Sequence, residues 1–195
     1  ILECIKNIKT IKTGIIITTD KVYDVKINKI FKESDRLGGL DPYSSSKVCV
    51  ESLFSSYINS FFKNNQMLAT VRAGNVIGGG DYSEDRLIPD VYRFSKKKKK
   101  IILRNPLSVR PWQHVLDPLG GYLLLTEKLH NKNIKKLVQN WNFGPNLLSC
   151  KSVKYVASYF ANSLKLKVIT HSIKNNQFKP ETSILRLSSY KSKKF

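Results

Sequence analysis

Three short clusters in the sequence carry side chains that could do chemistry. Thr18-Thr19-Asp20-Lys21 sets two hydroxyls, a carboxyl and an ammonium in succession. Tyr43 and Lys47 stand four residues apart in Tyr43-Ser44-Ser45-Ser46-Lys47, and Arg72-Ala73-Gly74-Asn75-Val76 joins a guanidinium to a carboxamide across a glycine. A spacing of four puts Tyr43 and Lys47 on one face of a helix, where an ammonium close to a phenol favours the phenolate by direct charge attraction. Tyr43 is thereby a candidate general base. Most Tyr–Lys pairs at this spacing are a core aromatic beside a solvated lysine, so the pair gains meaning only from the elements that position it.

Those elements alternate. Ile1, Leu2, Ile5, Ile8 and Ile11 recur at helical spacing over residues 1–12, and Gly14 to Thr19, reading GIIITT, is a β-branched apolar run that suits a strand buried on both faces. Asp41-Pro42 opens a helix running to Lys63-Asn64-Asn65, with Val50, Leu53, Phe54, Tyr57, Ile58, Phe61 and Phe62 as its apolar stripe. Met67 to Ala73 reads as the next parallel strand, Gly74 to Asp81 as a glycine-rich loop and Arg86 to Lys96 as a helix. A short strand over Ile101 to Arg104, a helix from Pro118 to His130, a strand near Lys136 to Phe143 and a helix from Ser152 to Lys165 complete the pattern. The alternation predicts an α/β fold: the later half of a doubly wound parallel, Rossmann-like sheet plus a small substrate-binding lobe. Residues 1–103 read as the half-sheet with the candidate catalytic groups. Residues 104–195 mix the small lobe with returning sheet elements. In such sheets ligands sit in the crevice beyond the strand ends, which is where Thr19 and Asp20 fall.

Composition excludes several classes. With 195 residues, 41% hydrophobic and 25% charged, the chain can bury one core or slightly more, and no stretch approaches the roughly 18 consecutive apolar residues of a membrane helix. Cys4, Cys49 and Cys150 are odd in number and widely spaced, which suggests neither a disulfide framework nor a metal site and fits reduced thiols in the cytoplasm. The net charge of +20 is uneven: residues 1–95 carry 13 Lys/Arg against 11 Asp/Glu, and residues 96–195 carry 21 against 3. Such a half attracts anionic partners, nucleic acid included. Yet 27 Lys against 7 Arg, with no nucleic-acid-binding signature, reads better as lysine accumulating on a tolerant surface, so no specific nucleic-acid partner is expected.

Placed in order, the segments TTDKVYD (18–24), GGLDPYSSSK (38–47), VRAGNVIGGGDYSEDRLIPD (71–90), RNPLSVRPWQHVLDPLGGYLLLTEKL (104–129) and WNFGP (141–145) resemble the extended short-chain dehydrogenase/reductase superfamily, and within it the nucleotide-sugar 4,6-dehydratases. The match covers most of the chain, fades after Pro145 and returns faintly at Pro180 to Lys194. The resemblance implies a tightly held NAD, oxidation of the sugar at C4, elimination of water across C5 and C6, and return of the hydride to C6. Tyr43 would take the C4 hydroxyl proton. Lys47 would favour its phenolate and bind the nicotinamide ribose, Thr19 would hydrogen-bond the same sugar oxygen, and Thr18 would lie at the cofactor. Asp20 would be the acid that protonates the departing C6 hydroxyl. Lys21 stands where dehydratases acting on dTDP-glucose have a Glu that removes the C5 proton and where the CDP-glucose branch resembles this chain, so the substrate reading leans to CDP-glucose, with the C5 base left open. Asn75, Arg86, Leu87, Arg110 and His114 would line the nucleotide sugar, Arg110 first among them because a guanidinium matches a pyrophosphate bidentately. Asn75 read alone caps a turn, and His114 alone is a structural histidine.

The family's glycine-rich NAD pyrophosphate turn should precede Thr19 by over a hundred residues, and only eighteen stand before it here. Gly78-Gly79-Gly80 lacks the strand-turn-helix setting that would replace it. A fragment with an open sheet edge, unstable or inactive alone, is therefore expected. The alternatives are another nucleotide-sugar epimerase or dehydratase, or a non-catalytic basic remnant. The helices at 1–12 and 43–62 resemble the pair that makes the family's homodimer interface.

Overall fold

A computed structural model describes residues 1–26, 28–62, 66–97, 101–103, 105–132, 135–165, 168–169 and 183–194. In chain order the elements are α1 (Leu2–Asn7), β1 (Thr13–Ile17), β2 (Ile30–Phe31), α2 (Pro42–Ser60), β3 (Met67–Ala73), β4 (Asn75–Ile77), α3 (Leu87–Lys96) and β5 (Ile101–Ile102). They continue with β6 (Val109–His114), α4 (Leu116–Lys132), β7 (Asn140–Phe143), β8 (Cys150–Ser152), α5 (Val153–Ser163), β9 (Val168–Ile169), β10 (Arg186–Leu187) and α6 (Tyr190–Lys193). The α/β alternation and the parallel sheet follow the sequence expectation. The first helix is shorter than its apolar spacing suggests, because the backbone turns extended at Ile8. The glycine-rich stretch from Gly74 contains a strand, β4, and the run expected as one strand from Lys136 splits into a 3-10 turn at Lys135–Leu137 and β7. The expected helix end at 63–65 and strand end at Arg104 lie outside the described residues, as do Lys98 to Lys100 of the lysine run and Pro180.

The central sheet has the order β1-β3-β7, all parallel. β3 is the middle strand and is buried on both faces, which explains its near-continuous apolar sequence. The period of two sorts its side chains. Met67, Ala69 and Val71 face a cluster with Tyr122, Leu125 and Leu129 of α4 and Trp141 of β7. Leu68 points to the opposite face, against Ile5, Phe54 and Phe62. Thr70 and Arg72 share Leu68's side of the strand, and this polar half of the face reappears at the site. Helix α4 comes so close to β7 that a Cβ on Gly121 would fall within the Phe143 ring, which leaves glycine as the residue that fits.

The smaller lobe is built on β4-β6-β8, with β4 parallel and β8 antiparallel to β6, and on the α3/α5 pair. Val91, Ile101, Leu103, Ala157 and Ala161 form its core. A fourth cluster, Val22, Tyr23, Phe31, Leu185 and Leu187, ties the β2–β10 pair beneath the turn that follows β1. Among the described residues β1 pairs with β3 on one edge only, and Ile17 at its end is 56% exposed.

Helix α2 is fixed at its start. Asp41 is the N-cap: its Oδ1 accepts from the Ser44 amide at 3.0 Å and its Oδ2 from the Ser44 hydroxyl at 2.5 Å, with Pro42 at the first helical position. These donors hold the Asp41 carboxyl below its usual range. Gly39 precedes it at φ +98°, where a Cβ would also press on the Ser45 backbone, so the entry turn requires glycine. Asp41→Ala should cost about 1–2 kcal/mol in urea unfolding at neutral pH. Because the carboxyl is depressed by folding, its contribution is present above the unfolded value and lost as the pH falls, so the variant and the parent should converge in acid.

Candidate active site

The C-terminal end of β1 runs directly into a 3-10 turn over Asp20–Val22, and the start of α2 packs beside that turn. Chain direction alone therefore brings Thr19, Asp20 and Lys21 next to Tyr43 and Lys47. The ammonium groups of Lys21 and Lys47 each lie 5.9 Å from the Tyr43 ring centroid. The Tyr43 ring itself is half exposed, at 51%. Two cations thus stand near one accessible aromatic ring. The Thr19 hydroxyl donates to Asp20 Oδ1 at 3.2 Å and accepts from the Lys21 amide at 3.4 Å, which fixes the turn.

Asp20 is the most unusual group. It is 2% exposed, and its Oδ2 is a buried oxygen without a hydrogen-bond partner among the described residues. Burial pushes its pKa up to about 6, against the opposing effects of the Lys21 ammonium, the Thr19 hydroxyl and the Arg110 guanidinium. Tyr122 is pushed up to about 12, first by burial and then by the negative charge of Asp20. Both Arg110 and Tyr122 thus stand within electrostatic reach of the carboxyl. Burial disfavours the carboxylate and leaves an acid able to donate near neutral pH.

An unfolded Asp titrates near about 3.9, so folding favours the protonated form, and that contribution is full below the unfolded value and lost as pH rises through about 6. Asp20→Asn should therefore gain on the parent by about 2 kcal/mol between pH 4 and pH 8. Paired urea titrations at the two pH values measure it. A gap that stays constant between them would mean that the carboxyl is ionised without penalty.

Behind the site lies a buried polar network that sequence reading passed over. Glu51 of α2 and Arg72 of β3 form a two-pronged ion pair, Nε to Oε1 and Nη2 to Oε2, both at 2.8 Å, with each side chain 1% exposed. The Thr18 hydroxyl donates to Glu51 Oε1 at 2.6 Å, and the Thr70 hydroxyl lies 3.2 Å from Oε2. Arg72 Nη1 donates to the Tyr23 hydroxyl at 2.8 Å, and that hydroxyl donates to Asn142 Oδ1 at 2.6 Å. Asn142 in turn donates to the Phe31 carbonyl at 3.2 Å, and its amide to Glu33 Oε1 at 3.0 Å. Thr18 was expected at the cofactor, and its hydroxyl is held here by Glu51.

The remaining candidates sit on the smaller lobe. Asn75 opens β4 in register with Trp112 of β6, and Arg110 lies two residues earlier on β6. Arg110 is 7% exposed. His114, in register with Ile77, is exposed, and its Nδ1 accepts from the Leu116 amide at 3.3 Å. Arg86 is exposed 4.0 Å from Asp81, at the N-cap of α3, with Leu87 as its first helical residue. Of these five residues, Arg110 reaches the cluster through its charge on Asp20. Trp112 donates to the Lys151 carbonyl at 2.9 Å, which makes it a brace between β6 and β8. A cavity of about 680 Å³ lies elsewhere, between the later half of α2 and the start of β7, with Ile58, Asn59, Gln139 and Lys191 in its wall. Glu33, whose carboxylate accepts from the Asn142 amide, also lines it.

The model of the NAD dependent epimerase/dehydratase family matches residues 1–142, and the chain belongs to that family. Within it the chain is similar to the CDP-glucose 4,6-dehydratase of Salmonella typhimurium (strain LT2), at 44% identity over 166 residues, covering 80% of this chain and 45% of that protein. The human dTDP-D-glucose 4,6-dehydratase is 27% identical over 115 residues, 58% of this chain and 32% of that protein. The fold is that of the Bacillus anthracis dTDP-glucose 4,6-dehydratase solved with NAD, at TM-score 0.78 and 23% identity over 99% of this chain and 57% of the other. It is equally that of the Thermus thermophilus UDP-glucose 4-epimerase solved with NAD, at TM-score 0.78 and 17% identity over 99% and 60%. The chain spans about half the length of the curated relatives it matches.

Proposed function

We propose that this chain is the later part of a nucleotide-sugar 4,6-dehydratase that converts CDP-glucose to CDP-4-keto-6-deoxyglucose. The observation that carries this reading is Asp20: a buried carboxyl with an oxygen unpartnered among the described residues, biased toward its acid form, between Thr19 and the Lys21 that reaches the Tyr43 ring. An epimerase of the same family needs the tyrosine and the lysine. Removal of a hydroxyl needs an acid as well.

The residues of the chain divide the work. Tyr43 takes the proton of the C4 hydroxyl, with Lys21 and Lys47 offsetting the charge it gains, and Thr19 turns its hydroxyl from Asp20 to the same sugar oxygen. Asp20 gives its proton to the oxygen leaving C6 while the C5 proton passes to a base, which completes the loss of water. Arg110, whose charge reaches Asp20, restrains the carboxylate that results and faces the nucleotide with Asn75, Arg86, Leu87 and His114. The donor set at the end of β1 fits the nicotinamide ribose of NAD, with Lys47 and Tyr43 holding it. Bound there, NAD would supply hydride acceptance at C4 and hydride donation at C6. The homodimer and the cytoplasmic setting belong to the same proposal. Leu53 and Phe61 of α2 are each 54% exposed, which supports the former, and the free cysteines Cys4, Cys49 and Cys150 fit the latter.

The test is the full-length protein carrying this chain, supplied with NAD and CDP-glucose. The expected product is a 4-keto-6-deoxy sugar nucleotide, seen by its absorbance in strong alkali. An epimerised sugar with no such absorbance, or no turnover of CDP-glucose while dTDP-glucose is converted, would overturn the assignment in its reaction or in its substrate.

A further inference from the structure

We propose that Glu51 is a positioning residue: its carboxylate clamps the strand end that carries Thr19 and Asp20 to the helix that carries Tyr43 and Lys47, and so sets the distance across which the proton transfers occur. The inference rests on the functional reading above. It assigns a task to a residue that touches none of the reacting atoms.

The geometry leaves little freedom. Tyr43, Lys47 and Glu51 follow one another at four-residue intervals and so form one row along α2. The row ends on Glu51, whose Oε1 accepts from Thr18 at 2.6 Å and from Arg72 Nε at 2.8 Å, and whose Oε2 accepts from Arg72 Nη2 at 2.8 Å. Thr18 is the residue immediately before Thr19. A single carboxylate is thus bonded to the strand that bears the acid while standing on the helix that bears the base. The third member, Arg72, extends the clamp through Tyr23 to Asn142 of β7, so the ends of all three strands of the central sheet are tied to α2.

Simple packing does not account for the choice. The β3 side chains facing α2 begin with Leu68, which meets Phe54 in an apolar cluster, and then change to Thr70 and Arg72 toward the strand end. Two charges taken fully out of water gain little stability over an apolar pair of similar volume, but they fix one register, because the fork has a single good geometry. Register is what matters where a misplacement of about 1 Å costs ~100-fold in rate.

The experiment uses the full-length protein with NAD bound and three variants. Thr18→Val keeps volume and both buried charges and removes the bond from the end of β1 to Glu51, together with a longer 3.3 Å contact to the Val71 carbonyl. Glu51→Gln removes the charge, and Glu51→Gln with Arg72→Met removes the pair. In Thr18→Val, kcat for dehydration should fall about 10-fold with KM within twofold. Glu51→Gln should lose about 100-fold and melt lower. The double variant should regain most of the melting temperature without regaining kcat. Amide exchange should rise together in residues 18–22 and 42–47 of Thr18→Val while α5 is unchanged. Recovery of kcat in step with the melting temperature would show Glu51 to be structural only and overturn the proposal, as would a Thr18→Val protein with unaltered kcat and exchange. A parent protein that makes no dehydrated sugar overturns the functional reading instead, and the exchange comparison still decides whether the clamp exists.

Discussion

Replacing Tyr43 with Phe should reduce dehydratase turnover of the full-length protein by about 1,000-fold, near the middle to upper part of what a positioned general base contributes. The substitution deletes one oxygen. It should leave the fold intact, because the ring is half exposed and belongs to none of the buried clusters. The two ammonium groups at 5.9 Å from the ring centroid keep their places, so the loss reports the missing hydroxyl and not a collapsed site. Rate measurements under saturating CDP-glucose, with thermal melting as the control, make the comparison. A Phe variant within tenfold of the parent would move the base to another group.

The second large effect is on stability. Arg72→Met should cost about 3–5 kcal/mol, the range for removing one partner of a buried ion pair. Both side chains are 1% exposed, so the Glu51 carboxylate is left without its counter-charge and without water. The substitution also strips donors from the Tyr23 hydroxyl and the Glu33 carbonyl. A domain of this size is stable by about 5–15 kcal/mol in total, so the variant should unfold at markedly lower urea or fail to accumulate. A shift under 1 kcal/mol would mean that Glu51 finds another partner or takes up a proton.

These two residues show what could be read in the sequence and what could not. Tyr43 and Lys47 declared themselves through spacing, and Thr19-Asp20 through their place at the end of an apolar β-branched run. Both signals are local. Met67–Ala73 was legible as a strand because it is buried on both faces, so its apolar residues run on without interruption. Glu51 carries no such mark: a single acid among the apolar residues of α2 looks like a solvated position until β3 places Arg72 behind it. The apolar stripe on α2 misled in the same way, since Leu53 and Phe61 face outward while Ser44 and Glu51 face in. Strand β4 was hidden by its glycine-rich neighbourhood, and β6 by the proline and charges within it. The burial of Asp20 depends on what surrounds the turn, which no run of neighbouring letters records.

The parallel arrangement also bears on how the molecule reaches this state. Gly14 pairs with Leu68, and Thr70 with Asn140, so each neighbouring strand must be fetched from more than fifty residues away before the first ladder contact forms. Closing such loops precedes any reward from pairing, which places the chain among slow folders, on the millisecond-to-second scale. Helix α2 can begin to form early from its own Asp41 cap. The Glu51–Arg72 link waits for β3, and the Asn142 link waits for β7. On a ribosome adding about 5–20 residues per second, several seconds separate the emergence of Asp20 from that of Asn142. Glu51 therefore stays a hydrated single charge until Arg72 follows it out of the ribosome, about 1–4 s later at that rate.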